Sequence, residues 1–293
     1  MIRYAVIHRT RFRYDAPVRF ARCNLRLRPI DWDGQRVEEH ALAVEPAAGV
    51  RPALAGGYPV ETSRLLVERP ASQLVIESRS RVAVERPVPS PSPDDPSVAA
   101  AAAAALVDVR FEPDAPANYL YPSPLIPAVP AIADWCGEEL RRGRGVVEAG
   151  LALAQRIARE FRYDGSATTL ETTPAQAFAE RAGVCQDFAQ VMISGARSAG
   201  LAAAYVSGYL RTVPPPGQAR LVGADATHAW VMLWCGDMRG WVGFDPTNGV
   251  TVGKDHIVTA VGRDYGDVAP IDGVFLGREG QRIEVSVDVE PLD

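Results

Sequence analysis

RAGVCQDFAQVMISGARSAG, residues 181–200, decides how the chain is read. From Cys185 onward, Phe188, Val191, Met192 and Ala196 recur at helical spacing, so a helix is expected to begin at the cysteine and to bury one stripe in a core. Ala182, Gly183 and Val184 break the chain just before it. The first N–H groups of a helix have no partner within it and carry a partial positive charge, which favours a thiolate over a thiol. The same placement offers the Cys185 backbone N–H to a developing oxyanion. A free cysteine is also a small hydrophobe that is commonly buried. Position alone leaves both readings open.

Working outward, helical patterns precede this segment and strands follow it. VVEAGLALAQRIAREF, residues 146–161, has apolar residues at helical spacing, and PAQAFAERAG, residues 174–183, opens on Pro174 and closes on Gly183. Downstream, AAAYVSGYL, THAWVMLWC and GWVGFDPT read as strands, and EVSVDVE, residues 284–290, as a last one. Helices followed by an antiparallel meander predict an α+β catalytic region over residues 146–293.

A thiolate needs a base, and a base needs an orienting group. Of the four histidines, His8 lies in a strand pattern, His40 beside two glutamates, and His256 after Asp255 in what reads as a polar loop; all three are assigned solvated or structural places. His228 opens THAWVMLWC, a strand apolar on both faces, where an imidazole is expected to be half buried and fixed by a partner. A core histidine bonded to a backbone carbonyl is the competing reading. If Gly236-Asp237 forms a two-residue turn, His228 falls directly opposite Asp245 of GWVGFDPTN. Gly240 could instead mark a longer loop, and Asp245 before Pro246 is also an ordinary turn former. A one-residue slip would send the two side chains to opposite faces.

The first 90 residues read as a small antiparallel β-domain with one wet face. YAVIHRTRFRY, CNLRLRP, HALAVEP, SRLLVERP and QLVIESRSRVAVERP alternate apolar and charged residues, with turns expected at Asp33-Gly34 and Gly56-Gly57. Residues 91–145 are expected to form a linker and strap. They take in most of the Pro- and Ser-rich PVPSPSPDDPS, an alanine run that suits a short helix, and the proline-broken EPDAPANYLYPSPLIPAVP.

Composition excludes several classes. With 31 basic against 36 acidic residues and a net charge of -5, the chain has no basic patch for nucleic acid. The opening MIRYAVIHRTRFRYD has charges every few residues and no apolar core, so it is not expected to act as a signal peptide, and no run of about 20 apolar residues suggests a membrane span. Cys23, Cys136, Cys185 and Cys235 are far apart, without CxxC pairs or zinc-type histidine spacing, so no metal is expected and a reducing cytoplasm fits. Asp264, Asp267 and Asp272 lack the regular spacing of a calcium loop.

GVCQDFAQVMISGARSAG, THAWVMLWC and GWVGFDPTN, in this order, resemble the bacterial transglutaminase-like superfamily, whose members are often described as cysteine proteases. FRYDGSATT (161–169), DHIVTAVGRDYGDVAPIDGVFLG (255–277) and HRTRFRYDAPVRFARCNLRLRP (8–29) resemble other stretches of it, the last its β-rich N-terminal region. The resemblance implies a papain-like fold in which a nucleophile helix packs on an antiparallel sheet, with Cys185, His228 and Asp245 as catalytic residues. It implies no cofactor and a peptide or protein amide as substrate. Hydrolysis through a thioester is the leading expectation, with acyl transfer to an amine as the alternative and a non-catalytic peptide-binding module as the alternative of another class. Asp187 is expected to serve the helix start and the tryptophans to pack. Tyr209 is a candidate cleft or oxyanion residue, and Tyr163 and Arg211 are open.

Overall fold

Alternating apolar and charged residues at the start of the chain form strands. The computed structural model describes residues 1–53, 57–169, 171–212, 226–277 and 280–292. Strands β1 (Ile2–Val18), β2 (Phe20–Leu25), β3 (Gln35–Glu45), β4 (Gly49–Ala53), β5 (Thr62–Val67) and β6 (Ala71–Val84) come first. Turns fall at Asp33-Gly34 and at Gly57; Gly56 lies outside the described residues. Helix α1 (Val98–Val107) takes up the alanine run, with the Ser97 side chain accepting from the Ala100 N–H at its start. The prolines that follow hold an irregular strap against the body of the protein. There the carbonyls of Asp114 and Pro127 accept from Trp241 Nε1 and Ser194 Oγ.

Helices α2 (Pro130–Leu140) and α3 (Val146–Glu160) are followed by β7 (Arg162–Tyr163), α4 (Pro174–Glu180), β8 (Ala182–Gly183) and α5 (Cys185–Ser198). The remaining elements are β9 (Ala203–Leu210), β10 (Ala226–Trp234), β11 (Trp241–Asp245), β12 (Val250–Thr251), β13 (His256–Gly262), α6 (Tyr265–Val268), β14 (Ile271–Leu276) and β15 (Gln281–Pro291). Five of these strands make one antiparallel sheet in the order β12-β11-β10-β9-β13.

Both faces of this sheet are covered, which is why THAWVMLWC is apolar throughout. On one side Ala229, Val231 and Leu233 pack with Phe188, Met192 and Ile193 of α5 and with residues of α2 and α3. On the other, Trp230, Met232 and Trp234 pack with Ile30, Ala105 and Tyr119. The expected packing of the helix that begins at Cys185 on an antiparallel sheet is therefore present.

Two expectations are corrected. The β10–β11 turn has four residues, not two: the Cys235 N–H donates to the Gly240 carbonyl, and Arg239 and Gly240 both donate to the Gly236 carbonyl. Val231 consequently pairs with Phe244, which puts Asp245 level with Trp230 rather than His228. A shift of two keeps every side chain on its expected face, because strand side chains alternate with a period of two.

The second correction concerns the C-terminus. EVSVDVE was expected within the catalytic region, but β15 pairs with β1 and β14 pairs with β2. The resulting N-terminal sheets run β15-β1-β6-β3 and β14-β2-β5-β4. Val287 and Val289 thereby join Tyr4 and Val6 in a core shared with Tyr209 and Ile257 of the central sheet. Long-range pairing wins because β15 covers the edge of β1 and buries Val287 and Val289.

Candidate active site

The start of α5 is held by a carboxylate. Asp187 Oδ2 accepts from the Val184 N–H at 2.8 Å and from Thr168 Oγ1 at 2.7 Å, and Asp187 is almost fully buried. A side chain at Gly183 would collide with this carboxylate, which explains the glycine one residue before Val184. Asp187 therefore does the structural work expected of it, fixing the turn from which Cys185 projects. Cys185 is half buried.

The structure brings Cys185, His228 and Asp245 together. His228 Nε2 lies 2.8 Å from Asp245 Oδ2, and the Cys185 thiol is near enough to the His228 ring to act on its protonation. The meeting point is the start of β10, upstream of its last residue paired to β11. Burial alone would push the imidazole pKa down, but the bond to Asp245 and the nearness of Cys185 overcome it and raise it to about 10. The partner shifts the other way: although burial opposes it, His228 and His256 hold the Asp245 carboxyl well below the usual carboxylate range. Both directions describe a buried ion pair.

Asp245 is wholly buried and fully engaged. Its Oδ1 accepts from the backbone N–H groups of Thr247 and Asn248, at 2.9 and 3.2 Å, and its Oδ2 accepts from Asn248 Nδ2 at 2.6 Å. The turn-former reading and the partner reading of this aspartate are thus both realised, one by each oxygen.

Sequence reasoning missed His256. It is buried at the first residue of β13 rather than solvated in a loop, and its Nε2 lies 3.1 Å from Asp245 Oδ2. The available signal was the unbroken HIVTAVG run, which marks a buried strand. His8 is also buried, bonded through Nε2 to Thr10 Oγ1 at 2.8 Å, whereas His40 meets Ser80 Oγ at 3.0 Å.

Tyr209 does not serve the cleft: its hydroxyl donates to the Leu27 carbonyl at 3.1 Å. Arg211 pairs with Asp255, which also accepts from Tyr4. Tyr163, Tyr205 and Tyr265 lie near the thiol. Burial pushes their phenol groups up, and proximity to Cys185 adds to the effect in each case. Tyr163 is exposed and stands edge-on to Phe188 of α5, so it borders the open side of the site. Among the described residues, no helix is long and apolar enough to cross a membrane.

Residues 4–83 match the family model of the bacterial transglutaminase-like N-terminal region, and residues 133–246 match that of the transglutaminase-like superfamily. An uncharacterized protein of Mycobacterium tuberculosis is 37% identical over 296 residues, which span 99% of this chain and 93% of the relative. The chain belongs to the transglutaminase-like superfamily. A Mycobacterium bovis relative of this transglutaminase-like chain has the same 37% identity and coverage. A solved structure from Cytophaga hutchinsonii, provisionally described as a cysteine protease, superposes with a TM-score of 0.77 at 19% identity, covering 100% of this chain and 91% of that one. That likeness shows a shared fold. The family is one of thiol enzymes with a transglutaminase-like core.

Proposed function

We propose that this chain is a thiol amidase that cleaves a peptide or protein amide through Cys185, His228 and Asp245. The observation that carries the reading is the continuous line of thiol, imidazole and buried carboxylate, with the carboxylate bonded to the far nitrogen of the ring. With Nε2 held by Asp245, Nδ1 is the nitrogen left for the thiol. It holds the proton given up by Cys185, so thiolate and imidazolium form a resting pair, and the thiolate sulfur attacks the amide carbonyl carbon. The Cys185 N–H, at the first residue of α5, is placed to donate to the oxyanion of the tetrahedral adduct. As the C–N bond breaks, His228 returns the proton to the departing amine and a thioester remains.

Water then gives a proton to His228 and attacks the thioester, the C–S bond breaks, and the acid leaves the thiolate and imidazolium as they began. A primary amine in place of water would give acyl transfer. We further assign the protein to the cytoplasm, a reducing compartment in accord with its four free cysteines. Residues 1–90 are assigned as the N-terminal β-domain, 91–145 as linker and strap, and 146–293 as the catalytic region, whose last two strands pair back onto the N-terminal sheets.

The test is a panel of peptide amides incubated with a labelled primary amine, using the native protein and Cys185→Ala. Label-free acid from the native protein alone is the expected result; labelled product redirects the reading to transfer. Equal turnover by Cys185→Ala, or binding without turnover by both, overturns it.

A further inference from the structure

We propose that His256 is a positioning residue for the Asp245–His228 pair, acting as a second imidazole donor to Asp245 Oδ2. The inference rests on the triad reading above and adds a residue that this reading does not require. Oδ2 receives His228 Nε2 at 2.8 Å and His256 Nε2 at 3.1 Å, so one carboxylate oxygen bridges two imidazoles.

The tautomer follows from the partners. Asp245, held far below the carboxylate range, is ionised and only accepts, so Nε2 of His256 carries the proton. His256 Nδ1 is buried and has no partner. A neutral ring donating from Nε2 leaves only a bare lone pair at Nδ1, whereas a second N–H there would be buried without an acceptor. His256 thus supplies a hydrogen bond to the carboxylate without adding a second positive charge beside His228.

The surroundings fix this ring. Trp230, fully buried, stands edge-on to His256 at 5.2 Å between centroids and lies 6.1 Å from His228. In the sheet order, β9 and β10 separate β13 from β11, so the His256 and Asp245 side chains meet across both strands. The β9 residue paired with His228 is Gly208, where a Cβ would collide with the Trp230 ring and the Ile257 carbonyl, so glycine leaves room for the indole that stands edge-on to His256. From the N-terminal part of the chain, Arg86 Nη1 donates to the His256 carbonyl at 3.1 Å, anchoring the first residue of β13. The charged and titratable groups that bear on His256 are therefore Asp245, His228 and, through the backbone, Arg86.

The two histidine nitrogens and the carboxylate oxygen also lie within 4.8 Å of one another, a spacing seen around bound metals. Direct hydrogen bonds already connect them, and His256 Nδ1 lacks the outer partner that metal-bound histidines ordinarily have. Positioning accounts for the cluster better.

The experiment compares the alkylation rate of Cys185 against pH, by mass spectrometry, in the native protein, His256→Leu, His256→Gln and His228→Ala. His256→Leu is expected to slow Cys185 about tenfold or more near pH 6, and His256→Gln, whose Nε2–H reaches a similar position, to recover most of the rate. A merely structural histidine would lower the melting temperature in both variants without this split. A native pH profile in His256→Leu, alongside a slowed His228→Ala, overturns the role of His256 alone. An unaffected His228→Ala overturns the triad reading beneath it. If His256→Leu does not fold, nitrogen NMR of the native imidazoles decides: an Nε2–H tautomer is expected, and an Nδ1–H tautomer sinks the proposal. Reactivity that is lost with chelator and restored by zinc ion alone would assign the cluster to a metal and also overturn it.

Discussion

Asp245 Oδ2 lies 2.8 Å from His228 Nε2, and neither side chain has more than a sliver of surface in water. An ion pair so enclosed ties stability to pH. The His228 pKa is raised from 6.5 to about 10, so its contribution is complete below about pH 6.5 and disappears as pH rises through about 10. The loss should amount to a few kcal/mol, on the order expected for a shift of this size partly offset by burial. Denaturant unfolding of the native protein between pH 7 and 10 should show this decline. A His228→Gln variant should show a flatter profile, and equal slopes would refute the ion pair.

His8 works in the opposite direction. Burial alone lowers its pKa from 6.5 to about 4, so the folded state resists the proton that the unfolded chain accepts. Stability is therefore intact above about pH 6.5 and falls as pH drops toward 4, by roughly 3 kcal/mol. The native protein and His8→Leu, compared at pH 7 and pH 4.5, should differ in acid sensitivity by about that amount. A native-like acid loss in His8→Leu would place the sensitive group elsewhere.

The four thiols should react in a set order. Cys136 and Cys235 are fully buried, and burial pushes Cys136 up to about 12 and Cys235 higher; Cys23 is raised as well, by burial and by Asp272. Under native conditions iodoacetamide is expected to label Cys185 first, and in denaturant all four at similar rates. Faster labelling of Cys23 than of Cys185 would count against an activated thiol at the helix start.

Gly208→Ala should damage both fold and site. The added methyl meets the Trp230 ring and the Ile257 carbonyl, an overpacking that costs about 1–3 kcal/mol. Because Trp230 contacts both imidazoles, Cys185 labelling should slow in the same variant. A native melting temperature with native labelling would show that the strand can yield.

Chelators should leave Cys185 reactivity unchanged. The acidic residues that follow β13 are occupied by protein partners: Asp264 accepts from the Gly266 and Leu125 N–H groups, Asp267 from Arg263, and Asp272 from Arg26 and Asn24. A calcium-dependent change in labelling would contradict this.

Much of the candidate site is local, and local order is legible in sequence. Cys185 at a helix start follows from Gly183, Val184 and the periodic stripe behind them. His228 and Asp245 follow from strand alternation, since parity alone puts them on one face. The length of the turn between them does not. Alternation reads the same for a two- or four-residue turn, so the pairing came out two residues away while the face survived.

His256 escaped because no pattern within residues 255–262 says which neighbouring strand they meet. Only the sheet order, which sets β13 beside β9 in the sheet that carries Asp245, brings that imidazole to the carboxylate. The sequence by itself determined the α+β class and the helix that begins at Cys185, because periodicity and helix-end chemistry act over a few residues, while the resemblance of three motifs singled out Cys185, His228 and Asp245 as candidates. The tertiary structure alone decided the second imidazole and the return of β14 and β15 to the N-terminal sheets. Both depend on contacts between residues far apart in the chain, where the gain is set by which surfaces remain to be buried.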